Sequence, residues 1–211
     1  MMRRRHLLLA PAAALAACSR RRPLRGTPVP PGAVVLALGD SLTFGTGAAP
    51  ESSYPAVLAA RSGWKVLNAG VPGDTSAQAL ERLPELLQQH APALVLLSIG
   101  GNDLLRRLPE AQTRAHLQRA IELSRAAGAQ ALLIAVPRPS AAAAFTGSLT
   151  DHPLYGEVAE ALQAPLHRQG WSEVLADPAL RSDPIHANAA GYAAFAQGLL
   201  ATARAVGWLP R

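Results

Sequence analysis

From residue 33 onward, short and mainly apolar runs alternate with longer amphipathic stretches. The runs Val34–Leu38, Trp64–Leu67, Ala93–Ser98 and Ala131–Val136 have the length and the Val/Leu/Ala content of strands buried on both faces. Ser172–Leu175 is a weaker fifth candidate. Between these runs apolar residues recur at helical spacing, over about Pro55–Ser62, Ala77–His90, Ala111–Ala127, Leu154–Gln169 and Ala189–Val206. Strands alternating with helices of this length predict βαβ units, hence an α/β fold with a parallel sheet and helices on both faces. The chain has 211 residues, no internal repeat and no second apolar core, which suits one domain with a sizeable interior.

Local signals sharpen two of these elements. Thr75, followed three positions later by Gln78, is a capping-box pattern that starts the helix near Ser76, with Leu80, Leu83, Leu86 and Leu87 along one face. Pro84 inside that stretch should bend the helix or split it. The small residues Ala141–Ala144, after Pro137-Arg138-Pro139, fit either a helical turn or a loop, and the prolines favour a loop start.

Composition changes the picture mainly through what it removes. Cys18 is the single cysteine, so neither a disulfide framework nor a thiolate metal site is possible. The formal charge of +6 is unevenly spread: seven of the 20 basic residues, and no acidic one, precede residue 33. The rest carries 13 basic against 14 acidic residues, a net of −1, which gives a globular body no electrostatic footprint for nucleic acid.

The basic start has a different explanation. Residues 1–17 combine Arg3–Arg5, an apolar stretch from Leu7 to Ala17 and small terminal residues, the layout of a secretory signal and too short for a membrane span. Leu15-Ala16-Ala17-Cys18 resembles the lipobox of bacterial lipoproteins. That resemblance implies a lipidated Cys18 as the first mature residue, and a body anchored to the cell envelope on the periplasmic side. Ser19 then favours the outer membrane. An ordinary signal peptide with an incidental cysteine, or a basic unstructured N-terminus, remains the alternative. The organisation expected is a signal over 1–17, a lipidated Cys18 with a basic, proline-containing tether over 18–32, and a folded domain over 33–211.

The candidate chemistry sits at the predicted strand ends. Ser41 follows the first strand in Gly39-Asp40-Ser41-Leu42-Thr43, where a tight turn can expose its hydroxyl. A serine there also suits a helix N-cap, and Asp40 suits an acceptor that pins the turn. Asp183-Pro184-Ile185-His186 near the C-terminus supplies a carboxylate and an imidazole. A Ser-His-Asp set needs a base that takes the serine proton and a carboxylate that orients the base. Alone, His186 reads equally as a loop histidine ahead of a helix capped by Asn188.

Asn102, in Gly101-Asn102-Asp103 after the third strand, fits a left-handed turn or a side-chain donor to an oxyanion. Gly73, in Asn68-Ala69-Gly70-Val71-Pro72-Gly73-Asp74-Thr75, is either a turn glycine or a backbone donor that no Cβ obstructs. In open α/β sheets ligands bind at the carboxyl ends of the strands, so these positions are expected to share one pocket.

Taken together, Ser41, Gly73, Asn102 and His186, with Asp183 completing Asp-x-x-His, resemble the four blocks of the GDSL/SGNH hydrolase family. Asn68–Arg82 and Leu94–Asp103 look like its thioesterase I/arylesterase branch. The resemblance runs from about Ala33 to about Leu200. It implies a three-layer, flavodoxin-like fold with five parallel strands. It also implies an oxyanion hole made by the Ser41 and Gly73 N–H groups with the Asn102 amide. Ala187 stands where the family usually has proline after the histidine, which should loosen that loop. The segment Pro137–Pro153, a poor match, covers the region that shapes the family's acyl pocket.

His90, His116, His152 and His167 lack metal-ligand spacing, and Gly45-Thr46-Gly47 is followed by no phosphate-loop lysine. The expectation is therefore a monomeric serine ester hydrolase that needs no cofactor. Its partners would be a small-molecule or lipid ester and the membrane reached through Cys18. Removal or transfer of acetyl groups on envelope glycans is the alternative within the fold. A non-catalytic lipoprotein that binds acyl ligands is the alternative outside enzymology.

Overall fold

The computed structural model describes residues 24–140 and 147–210. The expected signal over 1–17, Cys18 and Ala141–Ala144 lie outside the described residues. Five strands, β1 (Val34–Gly39), β2 (Lys65–Gly70), β3 (Leu94–Ser98), β4 (Gln130–Ile134) and β5 (Leu166–His167), form one sheet in the order β2-β1-β3-β4-β5. Every neighbouring pair is parallel. This is the flavodoxin-like order, with its switch point between β1 and β3.

The central strands β1 and β3 are buried almost throughout, because helices cover both faces of the sheet. The β1–β2 connection runs through α2 (Tyr54–Ser62) and moves one way along the sheet. The connections through α3 (Ser76–His90), α5 (Glu110–Ala126) and α6 (Pro153–Ala161) move the other way. Right-handed crossovers therefore place α2 on the face opposite α3, α5 and α6. The C-terminal helix α8 (Ala189–Val206) packs on α2, and α7 (Gly170–Ala176) packs on α8.

One register decides where the chemistry sits. Gly39 pairs with Gly70 on one side and Ser98 on the other, so β1, β2 and β3 end level. The loops that follow them all leave from the same edge.

The structure corrects three expectations. The fifth strand is Leu166–His167, and Ser172–Leu175 lies inside α7. Trp171, Ser172, Val174 and Leu175 are the buried positions of α7, a spacing that lines one face of a helix. The single helix expected over Leu154–Gln169 stops at Ala161. Gln163 adopts a φ of +48°, and Pro165 disfavours helical backbone at Ala164, so the chain turns into β5.

The third correction concerns the tether. Residues 24–32 are joined to the body: Gly26 N–H donates to the Val206 carbonyl and Val29 N–H to the Trp208 carbonyl. Val29 is only 3 % exposed, and its own carbonyl accepts the Trp64 Nε1–H. The apolar Val29 anchors this stretch against the N-terminal ends of the strands, away from the edge where β1–β3 end. Of the two outcomes expected at Pro84, a split is excluded, since helix α3 runs through it from Ser76 to His90. Its capping box is present, with Thr75 and Gln78 exchanging both bonds.

A buried imidazole closes the far side of the sheet. His167, at 5 % exposure, bonds Thr202 Oγ1 through Nδ1 at 2.8 Å and meets the Phe195 ring edge-on. Its Nε2 has no hydrogen-bond partner among the described residues. Burial, opposed only by Asp151, pushes its pKa down from 6.5 to about 4. The unfolded chain therefore takes up this proton first as pH falls, and the folded state loses stability between pH 6.5 and about 4. The loss should reach roughly 3 kcal/mol below that window. Thermal melts at pH 7, 5.5 and 4 should show it as wild type losing stability relative to His167→Gln as pH falls, a comparison in which the opposite pH dependence of other buried groups cancels.

Candidate active site

Ser41 is placed by the way β1 ends. A Cβ on Gly39 would lie 2.4 Å from the Ser98 carbonyl oxygen, so only glycine lets the β1 tip sit this close to β3. Asp40 then caps the one-turn helix α1 (Ser41–Phe44), its Oδ1 accepting the Leu42 N–H at 3.0 Å. This is the pinning role expected of Asp40. Ser41 is the first residue of that turn, and its N–H has no acceptor among the described residues. Asp40 is 3 % exposed. Burial pushes its carboxyl up to about 7, against the pull of the Leu42 N–H and His186, while nearby Asp103 pushes the same way as burial.

Asp183 and His186 meet because their loop folds onto itself. Asp183 Oδ1 accepts the backbone N–H groups of Ile185 and His186 at 2.8 and 2.9 Å. Its Oδ2 lies 2.7 Å from His186 Nδ1. Partial burial would raise this carboxyl, but the hydrogen bonds from His186 and Ile185 outweigh it and hold it below the ordinary carboxylate value. An ionised Asp183 accepts a hydrogen bond from Nδ1–H, which leaves Nε2 as an acceptor, and Nε2 stands 3.0 Å from Ser41 Oγ.

Ala187 does not leave this loop slack. It is fully buried and bridges to Arg181, and Ser182 N–H donates to the His186 carbonyl at 2.9 Å.

Gly73 and Asn102 approach from the neighbouring strands. Gly73 has a φ of +85°, a left-handed conformation that a Cβ would strain, and its N–H is without an acceptor among the described residues. Its carbonyl accepts Arg106 Nη2 at 2.8 Å. Asn102, in α4 (Gly101–Leu105), donates one amide hydrogen to the Asp74 carbonyl at 2.9 Å, which leaves the other free. Arg82 holds the same loop through Asp74 Oδ2 and the Ala69 carbonyl. Thus Ser41 and Asp183 each bond His186, while Gly73 and Asn102 are tied to each other through the Asp74 segment. A Cβ on Gly101 would lie 3.5 Å from Asp40 Oδ2, so the start of α4 sits against the Ser41 turn.

Beside these residues opens a cavity of about 840 Å³. Its walls include Leu42, Gly101, Pro184 and Ile185, the sequence neighbours of Ser41, Asn102 and His186. Leu104, Leu105, Leu108, Val136, Leu149 and Leu175 make much of the remainder apolar, with Arg107, Arg138 and a His152–Glu110 pair (3.4 Å) as polar contributions. Pro137, Pro139, Ser140 and Leu149 come from the segment that matched poorly in sequence. Among the described residues there is no group of three or more His, Cys, Asp or Glu able to hold a metal ion.

Sequence reasoning missed Ser76, Asp103, Arg106 and His116. Asp103 and Ser76 are bonded although 27 residues apart, and no local pattern announces such a pairing.

A doubly wound α/β sheet with a serine, histidine and aspartate in sequential hydrogen-bond contact beside an apolar cavity has the makings of a hydrolase. The comparisons with known proteins give it a family. Residues 37–194 match the model of the GDSL-like Lipase/Acylhydrolase family, and the chain belongs to that family. It is 36% identical over 157 residues to the Thioesterase 1/protease 1/lysophospholipase L1 of Escherichia coli K12, covering 73% of this chain and 75% of that protein. It is 34% identical over 160 residues to an arylesterase of Vibrio mimicus, covering 72% and 78%. A crystal structure of TesA superposes with a TM-score of 0.73 at 30% identity, over 82% of this chain and 99% of that one. The protein is a carboxylic ester hydrolase of the esterase/thioesterase kind.

Asp40 gives a prediction with a definite sign. Its folded pKa is raised, so folding favours the protonated form, and stability falls as pH rises from 3.8 through about 7. Asp40→Asn keeps the oxygen that caps Leu42 and removes that ionisation. Its melting temperature should exceed wild type at pH 8 and match it near pH 4. A lower value at pH 8 would contradict the account.

Proposed function

We propose that Ser41 is the nucleophile, His186 the general base and then acid, and Asp183 the group that orients His186. Ser41 Oγ adds to the acyl carbonyl carbon as His186 Nε2 takes its proton. The tetrahedral oxyanion is met by the Ser41 and Gly73 N–H groups and the free Asn102 amide hydrogen. His186 returns the proton to the leaving alcohol or thiol, giving an acyl-Ser41, and water repeats the sequence to release the acid. Each oxyanion donor stabilises the transition state by about 2.7–4 kcal/mol where this has been measured. The observation that carries the reading is the relay of 2.7 and 3.0 Å from Asp183 through His186 to Ser41.

The substrates this site suits best are esters and thioesters of short to medium acyl chains. A cavity of about 840 Å³ with mainly apolar walls can desolvate an alkyl chain, whereas an acetylated sugar would need polar partners for its hydroxyls. The names of the relatives, a thioesterase/lysophospholipase and an arylesterase, support the same class.

Purified residues 19–211 should turn over p-nitrophenyl acetate and butyrate. Ser41→Ala should cut kcat by at least about 10³-fold while leaving the melting temperature unchanged. Activity that survives Ser41→Ala would remove Ser41 from its role. Binding of fatty acid without turnover across an ester panel would favour the non-catalytic reading.

The anchor belongs to the same proposal. Lipidation at Cys18 would hold the domain to the envelope, outer membrane included, through a tether shortened to about residues 19–25 by the docking of Gly26 and Val29. That segment docks at the N-terminal ends of the strands, so the Ser41 edge would point away from the anchoring surface. Mass spectrometry of the mature N-terminus should find a lipidated Cys18, and Cys18→Ala should move the protein to the soluble fraction. An unmodified cysteine would discard the anchor and leave the chemistry untouched.

A further inference from the structure

Asp103 is 2 % exposed, directly follows Asn102, and serves none of the steps above. Its carboxylate accepts three hydrogen bonds: Ser76 N–H at 2.8 Å on Oδ2, and the hydroxyls of Ser76 and Thr113 at 2.5 and 3.2 Å on Oδ1. Because the single Ser76 hydroxyl proton goes to Asp103, His116 Nδ1, 2.9 Å from Ser76 Oγ, is the donor in that contact. A buried carboxylate is costly to hold unless its oxygens are satisfied, and here α3 and α5 both contribute donors.

The location of this cluster gives it a purpose. Ser76 opens α3 two residues after Asp74, whose carbonyl receives the Asn102 amide. Asn102 and Asp103 are neighbours in α4. Two adjacent ties therefore join the β2–α3 loop to the β3–α4 loop: Asn102 to the Asp74 carbonyl, and Asp103 to the Ser76 N–H. A single bond sets a distance and leaves rotation about it, whereas two adjacent bonds fix an orientation. Helix α4 has only five residues, and its N-cap, Gly100, makes no side-chain cap. Its other tie to the β2–α3 loop, from Arg106 at the C-cap to the Gly73 carbonyl, is solvent-exposed, so the buried Asp103 bonds are the firmer constraint on its orientation.

We propose that Asp103, held by Ser76 and Thr113, is a positioning residue that aims the free Asn102 amide hydrogen at the developing oxyanion. The inference rests on the reading of Asn102 as an oxyanion donor. It requires that the effect of Asp103 pass through Asn102 and appear in the transition state rather than in ground-state binding. Misplacing a catalytic group by an ångström costs about 10²-fold, so a partial loosening should cost less than that.

A double-mutant cycle in the intact chain tests it, with p-nitrophenyl butyrate as substrate. Asp103→Asn keeps the size of the side chain and one acceptor for the Ser76 N–H. It should lower kcat about tenfold with KM unchanged. In the Asn102→Ala background, where kcat is already down by about 10²–10³, the same change should cost less than about twofold. Ser76→Ala, which spares the backbone tie, should lower kcat roughly threefold by the same logic and lose that effect in the Asn102→Ala background. It also serves as the probe if Asp103→Asn fails to fold. Equal losses in both backgrounds, a raised KM with kcat intact, or full activity in Asp103→Asn would overturn the proposal. An unchanged kcat in Asn102→Ala alone would overturn the oxyanion reading, and the positioning role with it. That outcome is distinct from additive losses, which would leave the oxyanion reading standing.

Discussion

The hydrogen bond between His186 Nε2 and Ser41 Oγ spans 145 residues of sequence, and the rest of the molecule is arranged so that it can form. One end is set by β1, whose tip is level with β2 and β3 and whose Gly39 lies against the β3 backbone. The other end is set by α8. Asn188 caps that helix through the Gly191 N–H and ties it back to the Ala179 carbonyl, while the Tyr192 hydroxyl donates to the Thr46 carbonyl just beyond α1. Behind them Trp171 stacks on Phe195 with ring centroids 3.5 Å apart, and Trp171 Nε1–H bonds Ser98 Oγ at the end of β3. The aromatic core thus holds the histidine loop and the serine turn in one frame, which is how apolar burial becomes a 3.0 Å contact.

The same edge of the sheet concentrates carboxylates, and their environments part them into different roles. Asp183 is partly exposed and bonded by N–H groups, so it stays ionised and can orient an imidazole. Asp40 is buried with its principal bond to one N–H, and its proton affinity is raised to about 7. Asp103 is buried as deeply but accepts three donors. Burial costs of this kind recur at functional sites, where geometry is maintained against local stability.

Much of this was legible in the sequence, for identifiable reasons. Continuous apolar runs marked β1, β3 and β4, because a parallel sheet covered on both faces leaves no alternation to obscure them. Thr75 and Gln78 marked the start of α3 because a capping box is a local interaction. Ser41, Gly73, Asn102, Asp183 and His186 were legible because each lies at the end of a predicted element, and a parallel sheet carries such ends to one edge. What was missed is non-local or very short. β5 has two residues, too few for any periodicity, and Pro165 and the left-handed Gln163 that precede it were absorbed into a helical pattern. Val29 is one apolar residue among prolines, so its stretch has the composition of a tether, and the bonds that dock it, to Trp208 and Trp64, are non-local. His116 read as a scattered histidine because its partner, Ser76, is 40 residues away.

The central claim is that Ser41 is the residue that becomes acylated. It is tested most directly by trapping the enzyme with a p-nitrophenyl alkylphosphonate and locating the adduct by peptide mass spectrometry. The account predicts a single stoichiometric phosphonyl group on Ser41, formed in step with loss of activity and slowed strongly in His186→Ala. Inactivation with the adduct on another side chain, or full adduct formation in a variant lacking His186, would contradict it.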